Sequence, residues 1–119
     1  SRPVKINSYP SILAQAISHL IENAIEHNDF LSEPLLIGVT LEYKDSLCSL
    51  NINDNGKGID ESVLSRVFEP FYTTERSSGR VGLGLHMVYN QVRHKLNGDI
   101  QVLSSDKGAK FLIKFGDLP

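Results

Sequence analysis

The chain has 119 residues, 40% hydrophobic and 22% charged, which suits one packed core and not a disordered segment. Its net charge of −2 offers no broad attraction to nucleic acid or to an anionic membrane, and no apolar run approaches the ~20 residues of a membrane span. The single cysteine, Cys48, excludes an internal disulfide or a thiolate metal cluster and fits a reducing, cytoplasmic setting.

Pro3–Asn7 alternates weakly and is expected to be a short strand. Ser8–Pro10 can begin a helix, with Ser8 or Ser11 as cap. Ile12, Leu13, Ala16, Ile17, Leu20, Ile21, Ala24 and Ile25 recur at helical spacing and predict an amphipathic helix over 11–27. Asn28–Pro34 breaks it. Leu36–Tyr43 and Leu47–Asn53 are strand-like, with Lys44–Asp45–Ser46 as the turn between them. Ser62–Phe68 predicts a short helix, and Thr73–Val81 a polar loop. A second long helix is expected over Leu83–Leu96, stopped by Asn97–Gly98. Ile100–Ser104 and Lys110–Phe115 are the last strands, around an Asp106–Lys107–Gly108 turn. This order implies an α+β, two-layer α/β sandwich with helices on one face of a mostly antiparallel sheet. Residues 1–119 are expected to be a single domain, excised from a longer protein.

Three stretches carry chemistry. In Leu47–Asp54, period-two alternation puts Cys48, Leu50 and Ile52 on one face, and the same parity puts Asp54 on that apolar face. An inward carboxylate is costly without a partner. Asn55-Gly56-Lys57-Gly58-Ile59 follows, and its two glycines permit a tight turn and close backbone approach to a ligand. A carboxylate beside bare backbone can receive a purine amino group; an Asx turn is the plainer reading. On the first helix, His19, Asn23 and His27 form a polar row at i, i+4 and i+8. An asparagine amide oxygen suits Mg²⁺, although alone such an asparagine is more often an ordinary helix-surface residue. Gly79-Arg80-Val81-Gly82-Leu83-Gly84-Leu85 leads from a polar loop into a helix, whose free N–H groups attract phosphate. Arg76 and Arg80 can reach a triphosphate or simply be solvated. His86 reads best as a partly exposed surface histidine, and Cys48 as a small core residue.

Together these stretches resemble the catalytic ATP-binding domain of sensor histidine kinases, within the wider group shared with gyrase, heat-shock protein 90 and mismatch-repair ATPases. The resemblance runs from about Val4 to Phe115. His19-Leu-Ile-Glu-Asn23-Ala24 matches the N box, Asp54-Asn-Gly56-Lys-Gly58 the G1 box and Phe68-Glu-Pro70-Phe71-Tyr-Thr73-Thr74 the F box. Gly82-Leu-Gly84-Leu85 matches the G2 box, and Gly108-Ala-Lys-Phe111 resembles the closing Gly-Thr-x-Phe. The resemblance implies the Bergerat fold, a mixed sheet of about five strands with three helices on one face. It implies ATP and Mg²⁺ as cofactors, Asn23 as metal ligand and Asp54 as adenine acceptor. The other implied nucleotide contacts are His27, Gly56, Gly58, Ile59, Thr74, Arg76, Gly82, Leu83, Gly84 and Leu85. Phe68 and Phe71 would anchor the base of the lid.

The implied activity is that of a protein histidine kinase in two-component signal transduction. The γ-phosphate would go to a histidine on a separate dimerisation and phosphoacceptor domain of the same protein, with a response regulator downstream. No nucleic-acid partner is implied. The fragment itself is expected to be cytoplasmic, not membrane-inserted, and to bind ATP with little turnover. The chain departs from the family pattern at His19, Glu26, Glu75 and Ala109. The last of these removes a hydroxyl from the adenine side. Rival readings are an anti-sigma-type serine kinase or ATPase of the same fold, and a nucleotide-binding module without catalysis. His19 stands where gyrase-like hydrolases carry a general-base glutamate, which argues against hydrolysis.

Overall fold

A computed structural model describes residues 7–28, 34–56, 58–64, 66, 68, 84–105 and 107–117. The first helix, α1, spans Pro10–His27. Proline at the first helical position is pre-set in φ and lacks an N–H that would be orphaned there. The residue before a proline prefers extended backbone, so Tyr9 (φ −101°, ψ 101°) becomes the N-cap instead of Ser8 or Ser11. No side chain caps this end. Ala16, Leu20 and Ala24 form the buried line of α1, flanked by Ile12, Leu13, Ile17 and Ile21. Ile25, expected in that stripe, is 48% exposed. It lies about 100° round the helix from Ala24.

β1 (Ile37–Lys44) and β2 (Leu47–Asp54) form an antiparallel hairpin. Its turn is one residue shorter than expected. Asp45 and Ser46 alone make it, both at positive φ (55° and 65°), the geometry whose twist matches that of the flanking strands. A single helical turn, α2, covers Glu61–Leu64, the start of the expected 62–68 helix. Helix α3 spans Gly84–Asn90 and continues as a π-helical turn over Gln91–Lys95. The expected single α-helix therefore changes its hydrogen-bond spacing at its end. Leu96 N–H donates to Gln91 O at 3.0 Å and Gly98 N–H to Val92 O at 2.8 Å, around Asn97 at φ 53°. A left-handed asparagine is a common helix stop, and here the closing bond from Gly98 to Val92 spans one residue more than in a Schellman motif, in keeping with the wider π-helical turn before it. β3 (Asp99–Ser105) and β4 (Gly108–Phe115) complete the sheet.

The strand order is β1-β2-β4-β3, and every described pairing is antiparallel. The fifth strand expected at Pro3–Asn7 lies outside the described residues except for Asn7, whose N–H donates to Asp117 Oδ1 at 2.6 Å. Register aligns the inward side chains in rows. Leu50, Ile113 and Ile100 form one, Ile52, Phe111 and Val102 the next. α1, α3 and the π-helical turn that follows it, with its cap, cover these rows through Leu20, Val88, Val92 and Leu96, all less than 2% exposed. On edge strand β1 the same face carries Val39, Leu41 and Tyr43, which are exposed because no described helix reaches them. Ile113 is fully buried at the centre of its row. Ile113→Ala is expected to lower unfolding free energy by about 3 kcal/mol through lost transfer energy and a cavity, read by urea unfolding.

Candidate functional site

Four elements meet at one end of the sheet. Asp54 closes β2 on the inward face, as strand parity predicts, and is half-buried. Its Oδ1 accepts N–H groups from Gly56 at 2.8 Å and from Ala109, across on β4, at 3.3 Å. No hydrogen bond to Oδ2 arises from the described residues. One carboxylate oxygen is thus fixed by two backbone donors, which sets the direction of the other.

The turn after Asp54 is held on three sides. Asn55 ties it back toward β1: Asn55 N–H donates to Leu36 O at 3.2 Å, and Asn55 Oδ1 accepts from Leu36 N–H at 2.7 Å. Gly56 lies against Asn28, at the end of α1. A Cβ on Gly56 would sit 2.1 Å from Asn28 Oδ1. Gly58 has φ 78°, and a Cβ there would meet Ser105 O at 2.0 Å. Ile59 N–H donates to Ser104 Oγ at 2.6 Å, and the Ile59 side chain packs on the core. Gly108, at φ 134°, lets the β3–β4 hairpin approach Asp54 O closely. Turn and hairpin tip therefore meet backbone to backbone, which only glycine permits.

Asn23 lies on α1, about 7 Å along the axis from Asn28 at 1.5 Å per residue. It is half-buried, and its amide makes no hydrogen bond with a described residue. His19, one turn earlier, is half-buried too. His27 ends α1, but its side chain is not among those described. Among the described residues no three His, Cys, Asp or Glu side chains converge as a metal cluster would require. Gly84 opens α3 and Leu85 packs against the core. Thr74, Arg76, Gly82 and Leu83 lie outside the described residues, as do Phe71 and Arg80. Burial, and then the charge of Asp117, raise the Cys48 thiol above its ordinary pKa, so it stays protonated, as a core residue should.

The sequence model of the histidine kinase-, DNA gyrase B- and HSP90-like ATPases matches residues 8–118. The chain belongs to this ATPase family. Among curated relatives, the sensor protein CreC of Escherichia coli is 32% identical over 106 residues, covering 88% of this chain and 22% of CreC. The sensor histidine kinase YcbM of Bacillus subtilis is 34% identical over 106 residues, covering 86% of this chain and 33% of YcbM. The chain thus spans a third or less of these relatives. Among solved structures, the mycobacterial sensor histidine kinase MprB superposes with a TM-score of 0.78 at 27% identity, covering 96% of this chain and 78% of that one. The catalytic domain of the histidine kinase ThkA superposes with a TM-score of 0.81 at 24% identity, covering 96% and 73%. ThkA speaks for the fold alone.

Within this ATPase-family chain, two residues near the turn had no functional reading from sequence. Asn28 is buried, and its Nδ2 donates to Ala24 O at 2.8 Å while its Oδ1 abuts Gly56. It couples the helix bearing Asn23 to the turn bearing Asp54. The one sequence signal was a helix-stopping asparagine. Ser104 is the second, and the ladder that sets it opposite Ala109 is not readable without the register. His86 is partly exposed, as expected, and also connects neighbouring segments. It is half-buried, with Nδ1 3.1 Å from Phe68 O and Nε2 3.0 Å from Asn90 Nδ2. Both contacts are satisfied together when Nδ1 carries the proton and Nε2 accepts. The Phe68 ring packs on Tyr89 and Phe111, with centroids 5.4 and 6.3 Å away. Phe68 thus packs on α3 and β4; the lid whose base the F box implied it would anchor lies outside the described residues.

Proposed function

We propose that this domain binds ATP with Mg²⁺ and presents the γ-phosphate to a histidine on a separate dimerisation and phosphoacceptor domain of the same protein, with a response regulator downstream. Asp54 carries the reading: one oxygen is held by two backbone N–H groups, and the other receives no hydrogen bond from a described residue. An acceptor-only group at that position pairs with the N6 amino group of adenine and repels the O6 carbonyl of guanine. Gly58 and Gly108 supply the close backbone packing behind that carboxylate. The sensor-kinase relatives support the same reading.

Asn23 is the proposed magnesium ligand. Its neutral amide oxygen fits an ion that takes its other ligands from water and phosphate. Mg²⁺ bound there supplies charge neutralisation for phosphoryl transfer. His27, Thr74, Arg76 and Gly82–Leu85 are proposed to hold the remainder of the nucleotide. The chain's own part is to bind and orient, which is most of what phosphoryl transfer asks of a protein. In titration calorimetry, Mg²⁺ should raise wild-type affinity for a non-hydrolysable ATP analogue at least about tenfold. Asn23→Ala should bind the analogue equally with and without the ion. Equal metal dependence in variant and wild type would remove Asn23 from the metal site.

A further inference from the structure

Ser104 lies one strand from Ala109 on the inward face, at the end of the same row as Asp54. Its Oγ accepts the Ile59 N–H at 2.6 Å and lies 3.5 Å from Gly108 O, to which it can donate. A hydroxyl has one donor and two acceptor sites, so both uses are compatible. Among the described residues Ser104 is the only hydroxyl that hydrogen-bonds to the turn after Asp54. The turn thus enters on Asp54, whose Oδ1 is fixed by Gly56 and Ala109, and leaves on Ile59, fixed by Ser104. Between them Gly58 is wedged at φ 78°, where a Cβ would come within 2.9 Å of Ser104 Oγ. The closing motif carries alanine at 109, so the hydroxyl at this end of the site comes from β3.

We propose that Ser104 is a positioning residue for base recognition: by holding the exit of the turn through Ile59 N–H, it fixes the direction of Asp54 Oδ2. This rests on the reading of Asp54 as the adenine acceptor. Without the hydroxyl the exit of the turn loses its hydrogen bond to β3 and keeps, among the described residues, only the packing of Gly58 on Ser105; the Gly56 N–H that holds Oδ1 then shifts with the turn, and Oδ2 is no longer held in one direction. The loss then falls on the base and not on the phosphates. Adenine nucleotides lose affinity, while a purine nucleotide with a carbonyl at position 6, which never used Oδ2, does not.

The test uses Ser104→Ala and Ser104→Thr, calorimetry with ADP and inosine diphosphate at fixed Mg²⁺, and amide exchange at Ile59 without nucleotide. Ser104→Ala should weaken ADP about tenfold, leave inosine diphosphate within about twofold and speed Ile59 exchange, while Ser104→Thr restores both. Ser104→Ala that is folded and binds ADP like wild type overturns the proposal. Equal losses for both nucleotides overturn it as well, since they indicate general damage. If Ser104→Ala does not fold, the wild-type amide decides: an Ile59 N–H exchanging as fast as an open loop overturns it, and a protected one that stays protected in Ser104→Thr supports it. A wild-type chain that binds no adenine nucleotide while Ile59 stays protected removes the Asp54 reading, and the base-positioning role with it.

Discussion

Asp54→Asn is expected to weaken adenine nucleotides on the order of 100-fold while leaving inosine nucleotides unchanged or improved. The substitution keeps a carbonyl oxygen where Oδ1 accepts from Gly56 and Ala109. It replaces Oδ2 by an NH₂ group. Turning the amide over would aim that NH₂ at two backbone N–H groups, so the orientation is set by the site itself. An NH₂ then faces the adenine amino group, donor against donor, and a charge-assisted bond worth about 2–3 kcal/mol is lost. The carbonyl of a hypoxanthine base meets a donor instead. Calorimetry with ADP and inosine diphosphate reads both changes. ADP binding within threefold of wild type would show that Asp54 does not receive the base.

Gly108→Ala carries a large expected cost to stability. Gly108 sits at φ 134°, and a Cβ there would lie 1.9 Å from Asp54 O, 2.8 Å from Asp54 C and 3.2 Å from Asn55 Cα. All three atoms are backbone, so no rotamer change relieves the overlap. The β3–β4 tip must withdraw from β2, breaking the Ala109 N–H bond to Asp54. A loss of about 3 kcal/mol, or roughly 10–15 °C in Tm for a chain of this size, is expected by scanning calorimetry. Gly116→Ala is the control. Its Cβ would lie 3.3 Å from a mobile leucine methyl on Leu47 and from Ser46 O, a contact that small shifts absorb. Equal, small Tm changes in the two variants would mean that the hairpin tip yields and the close approach is not a constraint.

Period-two alternation in β2 was enough to place Asp54 inward, because a strand has only two faces and three apolar residues named one of them. The spacing of alanine, leucine and isoleucine in α1 located that helix to within a residue. Its cap is not the expected serine, because the restriction that Pro10 imposes on Tyr9 outweighs the capping preference of serine. Ile25 was misplaced because periodicity names a stripe but not its edge, which depends on where the sheet ends. His86 illustrates a further limit. Its partners are a carbonyl 18 positions away and an amide one turn along, and only the amide is visible in local spacing. Asn28 and Ser104 act through backbone proximity across strands and helix ends, which no single-sequence pattern encodes.

The strand order β1-β2-β4-β3 also bears on how the site comes into being. Each hairpin pairs neighbours in sequence, so both can form on a microsecond scale. Asp54 and Ala109, however, are 55 residues apart, and their contact exists only after β2 has found β4. Closing a loop of that length carries an entropy cost that neither hairpin bears, and it must be met before the contact can form. A chain cut before Asp99 keeps the first hairpin and its aspartate, yet holds neither the Ala109 amide nor the Ser104 hydroxyl that orient the turn. The ability to recognise a base therefore arises late in folding, together with the sheet itself, and a nascent chain has none of it until the last strand has emerged.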